Sequence, residues 1–310
     1  MAEHRPATGD EAEFLAELIG RGLLLAGGAP GVYGRGDAFE DVRERVDALV
    51  SRAAEPDGAE RLRFPPLLPR RYLESTGYLR SFPHLAGTIF AFEGSERDAA
   101  EQEQRAGRHE DWSEFQTMTD LVLVPAACYP VYPAIASRGA LAPGGLTVDA
   151  GGSYVFRREP SADPARLQMF HQREIVRIGE PEAVAGWRGA WCERAVDVLR
   201  RLGVAAELEV ASDPFFGRPG RMLAANQRAQ ELKFELTIQI ASPEPTAVAS
   251  FNYHQDHFAQ TFGIELHDGA PVHTACLGFG LERIALGLFR AHGLDTALWP
   301  AEVKEELWDV

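Results

Sequence analysis

Apolar residues recur every three or four positions in two stretches near the start of the chain. Glu11 to Leu25 reads as one helix and Ala38 to Ala54 as a second, in which Phe39, Val42, Val46 and Leu49 or Val50 form one stripe. Neither is long enough for a paired coiled-coil arm. Pro65, Pro66 and Pro69 in RFPPLLPRRYLESTGYLRSFP then end the periodicity and predict an extended segment running into a loop. The tract from Glu93 to Asp111 is dense in charge and reads as solvated surface.

From Asp120 onward the pattern changes to that of strands. LVLV at 121–124 is short, apolar and bounded by Pro125, as a buried strand is. SYVFRRE (153–159) and LQMFHQREIVRIG (167–179), separated by PSADPAR, predict a β-hairpin with a long tip. A helix over Pro181 to Leu202 ends at Gly203, and strands follow at 206–211, 233–240 and roughly Ala247 to Tyr253. In the strand 233–240, Phe234, Leu236, Ile238 and Ile240 share one face, leaving Lys233, Glu235, Thr237 and Gln239 on the other. There is no internal repeat and no linker. Residues 1–310 therefore read as one mainly antiparallel α+β domain with helices beside the sheet, and 1–60 as an N-terminal helical extension.

Composition narrows the function classes. A hydrophobic fraction of 45% is ample for a core, and a formal net charge of −15 argues against a broad electrostatic footprint for RNA or DNA while leaving room for a local basic patch. The polar start MAEHRPATGDEAEF has no signal-peptide core, and no apolar run approaches the roughly 20 residues of a membrane span, so a cytoplasmic location is expected. Cys128, Cys192 and Cys276 lie far apart with no Cys-x-x-Cys pair, which implies neither a disulfide framework nor a self-contained zinc module. Burial as small hydrophobes is the plain reading of all three.

Alternation along strands gives the predicted hairpin chemical content. Arg157 and Glu159 share a face of the first strand, and Phe170, Gln172 and Glu174 share a face of the second. If the faces coincide, a cation, two carboxylates and an aromatic plate meet on one surface. A cross-strand ion pair beside a packed phenylalanine accounts for the same pattern. Gly278-Phe279-Gly280 likewise reads as a turn leading into a helix.

Three segments in order resemble a known family. FRRE at 156–159, the loop ending in Arg166, and MFHQREIV at 169–176 resemble motif 2 of the class II aminoacyl-tRNA synthetases in its seryl version. GFGLERIAL at 278–286 resembles motif 3, and residues 64–83 resemble the motif 1 region, so the likeness spans about residues 60 to 295. It implies a class II synthetase-like antiparallel sheet flanked by helices, and a homodimer, since motif 1 forms the subunit interface across the class. It also implies roles. Arg157 holds the ATP α-phosphate and the substrate carboxylate, Glu159 accepts from the adenine amino group, Phe170 and Arg283 stack on opposite faces of adenine, and Arg166 grips the β- or γ-phosphate. Leu167, Lys233, Ala249 and Ser250 fall around the nucleotide, with Asn252 on the substrate side. Magnesium is expected with ATP, but PTAVASFNYHQDHF lacks the usual metal-binding glutamate, which leaves Glu235 and Glu244 as candidate ligands.

Two departures from ordinary seryl enzymes point to a subfamily. Cys128, in PAAC, stands where those enzymes carry a glutamate, and with Glu174 and Cys276 it matches the active-site zinc set of the atypical seryl-tRNA synthetases and of their truncated relatives, the amino acid:carrier protein ligases. Three protein ligands and an open fourth position suit one substrate-binding zinc per subunit, taking the substrate's α-amine. His171, His254, His257 and His273 are candidate supporting donors or ordinary polar residues; Cys192 lies outside the set. About 60 residues precede the motif 1 region, too few for the helical arm that holds tRNA, so the resemblance implies transfer of a small amino acid to a phosphopantetheinylated acyl carrier protein. A docking helix for that carrier falls in 213–233, with Arg218, Arg221, Arg228 and Lys233. A synthetase acting on tRNA without the arm, and a non-catalytic synthetase-like subunit, are the alternatives.

Overall fold

In the computed structural model, which describes residues 9–308, α1 (Gly9–Gly20) stops at Gly22, whose φ of 69° is left-handed. The apolar run continues past that stop into a hairpin of β1 (Leu24–Ala29) and β2 (Val32–Arg35). The helix expected to reach Leu25 is therefore shorter, and the segment before residue 60 is not helical throughout. α2 (Asp37–Ala54) follows the periodicity and buries Phe39, Val42, Val46, Leu49 and Val50. Next come β3 (Glu60–Leu62), β4 (Leu67–Pro69), α3 (Arg70–Ser75), α4 (Tyr78–Ser81) and β5 (Thr88–Phe92). The charged tract is solvated as expected, but as α5 (Glu96–Gly107), started by a capping box between Ser95 and Asp98.

The remaining chain builds the sheet. β6 (Gln116–Leu123) and α6 (Val131–Ala136) lead to the long pair β7 (Leu146–Phe156) and β8 (Met169–Gly179). α7 (Pro181–Arg201) starts with proline in its first turn and ends before Gly203 at φ 68°. β9 (Glu207–Val210), α8 (Gly217–Ala229), β10 (Lys233–Ile238), β11 (Thr246–Gln255), α9 (His257–Phe262), β12 (His273–Gly280), α10 (Leu281–His292) and α11 (Ala301–Trp308) complete it. Seven strands run in the order β3-β7-β8-β12-β11-β10-β9, every neighbour antiparallel except β3 with β7. A separate three-stranded sheet has the order β4-β6-β5. Among the described residues no helix is long and apolar enough to cross a membrane.

The two faces of the large sheet have different work. Odd-numbered β8 and β12 residues such as Ile175, Leu277 and Phe279 pack under α2, α7 and α10. Each fully buried side chain of this kind stabilises by roughly 1.5–3 kcal/mol. Arg173 fastens that layer, bonding Asp47 of α2 at 2.5 Å and Asp149 of β7 at 2.7 Å. Even-numbered β8 residues face the other way, with Val176 and Ile178 packed under α6 and α9. Phe170, Gln172 and Glu174 share that second face, as alternation predicts, and the site is built there.

Candidate active site

Cys128, Glu174 and Cys276 come from three places in the fold and meet. Their side-chain ligand atoms lie within 4.8 Å of one another, and all three residues are buried. Glu174 sits midway along β8 and Cys276 on the adjacent β12, its Sγ 3.4 Å from Glu174 Oε1. Cys128 arrives on the loop after β6. That loop is pinned to β8 by two backbone donors, Cys128 N–H to Glu174 Oε2 and Ala127 N–H to Gln172 Oε1 at 3.2 Å.

The chemistry of the donors decides what the trio suits. Burial, reinforced by Cys276 and Glu174, pushes the Cys128 thiol well up. Burial also raises Glu174. For Cys276 the hydrogen bond with Cys128 pulls down while burial and Glu174 push up, and the balance is upward. Burial penalises three clustered anions, and a dication offsets their charge. A tetrahedral zinc with Zn–S near 2.3 Å spaces two sulfurs about 3.8 Å apart, a separation that fits within the 4.8 Å limit on the trio's ligand atoms.

Gly278 makes the trio possible. The Gly-x-Gly segment belongs to β12 rather than to a turn, and Gly278 pairs with Glu174 on one side and Ser250 on the other. A Cβ there would meet Gln172 Nε2 at 2.7 Å and Glu174 Oε1 at 3.1 Å. The missing side chain is the room in which Glu174 lies.

The residues expected at the nucleotide collect around the β7–β8 tip. β7 ends at Phe156, so Arg157 and Glu159 leave the ladder one rung further on, where Arg157 N–H bonds Gln168 O at 2.9 Å. The Arg157 guanidinium has no hydrogen bond or ion pair among the described residues, yet its charge bears on Glu174, Asp213 and Tyr78. Glu159 pairs with Arg166 at 2.7 Å, both more than a third exposed, a contact worth ~0–1 kcal/mol that a ligand can replace. Arg283, at the start of α10, donates to Ala165 O at 2.8 Å and Ala247 O at 2.9 Å. Its Cζ stands 5.8 Å from the Phe170 ring centroid, and burial followed by Arg157 pushes its pKa down to about 10, still a cation at neutral pH.

Other expected residues fall less simply. Ser250 and Asn252 face the site, with Asn252 Nδ2 3.4 Å from Ser250 Oγ and 3.7 Å from Cys276 Sγ. Ala249 points its side chain into the core on the opposite face, leaving only its backbone for ligand, and Leu167 packs with Val155 and Phe170. Lys233 is buried and held by Asp213 and Glu235, each at 2.7 Å, which keep its pKa raised although burial alone lowers it. Of the two magnesium candidates, Glu235 is thus ion-paired and Glu244 is exposed on the β10–β11 connection. Cys192 belongs to the core beneath α7.

The four histidines separate cleanly. His171 bonds the buried Glu282, His273 bonds the Tyr253 hydroxyl, and His257 is exposed at the start of α9. His254 alone reaches the trio, its Nε2 3.5 Å from Cys276 Sγ. Burial, with His257 adding to it, pushes His254 down to about 3, so the ring is neutral. Sequence reasoning missed Asp213, which grips both Lys233 and Gln227 of α8; a lone aspartate 20 residues from its partner carries no pattern. It also missed Arg35, whose link to Glu282 at 3.2 Å ties the N-terminal hairpin to α10.

No protein-family model matches the chain. It is 45% identical over 303 residues to amino acid–acyl-carrier-protein ligase 1 of Bradyrhizobium diazoefficiens, covering 97% of this chain and 91% of that protein. Identity to ligase 2 of the same organism is 46% over 309 residues, covering 99% and 90%. A type-2 serine–tRNA ligase of Methanopyrus kandleri is 26% identical over 295 residues, 87% of this chain but 54% of that protein. The fold superposes on the M. kandleri seryl-tRNA synthetase solved with A. aeolicus tRNASec, with a TM-score of 0.81 and 23% identity over 100% of this chain and 62% of that one. Giardia lamblia prolyl-tRNA synthetase follows at 0.65 and 11%, over 89% and 52%. The fold is that of the class II aminoacyl-tRNA synthetases.

Proposed function

This chain belongs to the amino acid–acyl-carrier-protein ligases, and on that footing we propose that it joins a small amino acid to ATP as the aminoacyl adenylate and passes the aminoacyl group to the phosphopantetheine thiol of an acyl carrier protein. The observation that carries the reading is the Arg157 guanidinium, without hydrogen bond or ion pair among the described residues, set beside the buried Cys128–Glu174–Cys276 group. One side of the site suits a carboxylate and a phosphate; the other suits an amine.

Arg157 draws the substrate carboxylate and the α-phosphate together and offsets the negative charge that grows on phosphorus as a carboxylate oxygen attacks. The bond from phosphorus to pyrophosphate breaks, and Arg166 and Arg283 hold the departing charge. Glu159 and Phe170 orient the adenine, with Lys233, Leu167, Ser250 and the Ala249 backbone around the nucleotide. A zinc ion held by Cys128, Glu174 and Cys276 supplies, when bound, a Lewis-acid position for the free α-amine. Magnesium enters with ATP, and Asn252 borders the amine side. In the second half-reaction the carrier thiolate attacks the carbonyl carbon, and AMP leaves with its carboxyl oxygen.

Room beside the trio is short. The buried Tyr132 and the half-buried His254 crowd it, which supports glycine, alanine or a β-amino acid as substrate. α8 presents exposed Phe216, Met222 and Leu223 beside exposed Arg218, Arg221 and Arg228, a surface suited to an acidic carrier. The net charge of −15 works against a broad tRNA-binding surface, and the local arginines are what suit an acidic partner here. A homodimer is supported by exposed Phe90, Phe92 and Met118 on the three-stranded sheet and by the apolar groove between Phe64, Leu67, Tyr72 and Pro133. Amino-acid-dependent exchange of labelled pyrophosphate into ATP tests the first half-reaction, and thioester formation on a phosphopantetheinylated carrier tests the second.

A further inference from the structure

Cys276 Sγ is approached by two side-chain nitrogens from the neighbouring strand. Asn252, its partner in the β11–β12 register, brings Nδ2 to 3.7 Å, and His254, past the register shift in β11, brings Nε2 to 3.5 Å. The His254 ring cannot swing freely. It stands edge-on to Tyr132 and to Phe258, the latter at 4.8 Å between centroids. On its far side Nδ1 lies 3.1 Å from the hydroxyl of Thr274, which is fully buried, and 3.5 Å from the Tyr132 hydroxyl. The Thr274 and Tyr132 hydroxyls can each donate to Nδ1, and in that tautomer the single N–H of a neutral imidazole stands on Nε2, 3.5 Å from the sulfur.

This arrangement has a use only if Cys276 is a thiolate, so the inference rests on the proposed metal site. Two thiolates and a carboxylate around a dication leave a net negative charge, which weakens the ion as an acceptor for an amine. Hydrogen bonds to sulfur draw that charge off and fix the sulfur's direction. His254 contacts one member of the trio and stands outside the group of mutually adjacent ligand atoms. We infer that His254 is a positioning residue that donates from Nε2 to the Cys276 thiolate, with Thr274 setting its tautomer, and thereby tunes the metal for the substrate amine.

The test uses cobalt(II) as the probe, because thiolate-to-cobalt charge-transfer bands report the Cys276–metal bond without turnover. His254→Phe keeps the ring packing and loses the donor; His254→Gln retains an N–H. We expect His254→Phe to weaken cobalt binding about 10–100-fold in competition with a chelator and to shift the charge-transfer band, and His254→Gln to restore most of both. An unchanged affinity and band in His254→Phe overturns the inference. So does a change in the d–d bands that signals a lost ligand, since His254 would then be a ligand itself. If His254→Phe does not fold, Thr274→Val decides, and it must move the band in the same direction. Failure of the underlying reading is distinct: wild-type protein would take up no cobalt at the trio.

Discussion

A single methyl group at Gly278 should disable the proposed metal site from behind. Against the 3.4 Å at which ordinary contact begins, a Cβ at Gly278 falls short by about 0.7 Å to Gln172 Nε2 and about 0.3 Å to Glu174 Oε1. Gln172 cannot easily give way, because its Oε1 holds the Ala127 N–H at 3.2 Å. The Glu174 side chain is fixed too, by the Cys128 N–H and the Cys276 sulfur. The strain therefore divides between them. Metal–ligand distances tolerate only about ±0.2 Å, so a shift of this size takes Oε1 off its ligand position. We expect Gly278→Ala to lose about 1–3 kcal/mol of stability through overpacking and at least 10-fold in zinc affinity, a size ordinarily seen when a ligand's support is disturbed. Urea melts with and without metal separate the two effects, and chelator competition reads the affinity. Gly278→Ala binding zinc as tightly as wild type would refute the claim that this glycine makes room for Glu174.

Three further outcomes follow from particular contacts. Arg157→Ala should cut pyrophosphate exchange by roughly 10²–10³-fold, the loss typical of one preorganised donor to a transition state, while leaving thermal unfolding unchanged, since the guanidinium has no hydrogen bond or ion pair among the described residues. Arg221→Ala should raise the carrier concentration needed for transfer and leave exchange intact; loss of exchange would mean that α8 is not the docking surface. Asp213 is pushed up by burial but held below its usual range overall by Lys233 and Gln227. A depressed carboxylate stabilises fully above its unfolded pKa of about 3.9 and loses that contribution as pH falls toward the folded value. Asp213→Asn should accordingly be less stable at neutral pH and show a shallower fall in unfolding free energy as pH drops below about 4.

Much of the site was legible because strand alternation is strict. Phe170, Gln172 and Glu174 share a face in the structure for the reason their spacing shows, and Cys276 joins them by falling two residues before the glycine opposite Glu174. What was not legible depended on partners distant in sequence. Nothing in LLLAGGAPGVYGR marks the β1–β2 hairpin, because its glycines read as loop and its leucines as the end of a helix. Yet that hairpin accepts the Gln168 side chain on Pro30 O and its backbone N–H on Gly31 O, and so supports the loop carrying Arg166. Gly278 read as a turn because Gly-x-Gly usually is one, while here the neighbouring strand needed the space. His254 could not be told from three other histidines until the register placed its ring beside one sulfur.

The central claim is that the chain adenylates an amino acid and gives it to a carrier thiol. The most direct measurement incubates zinc-loaded protein with ATP and labelled glycine or alanine, in the presence of both phosphopantetheinylated carrier protein and tRNA, and follows the label. ATP-dependent label should appear on the carrier in a bond cleaved by hydroxylamine, with none on tRNA. Label on tRNA, or no ATP-dependent label on the carrier with either amino acid, would contradict it.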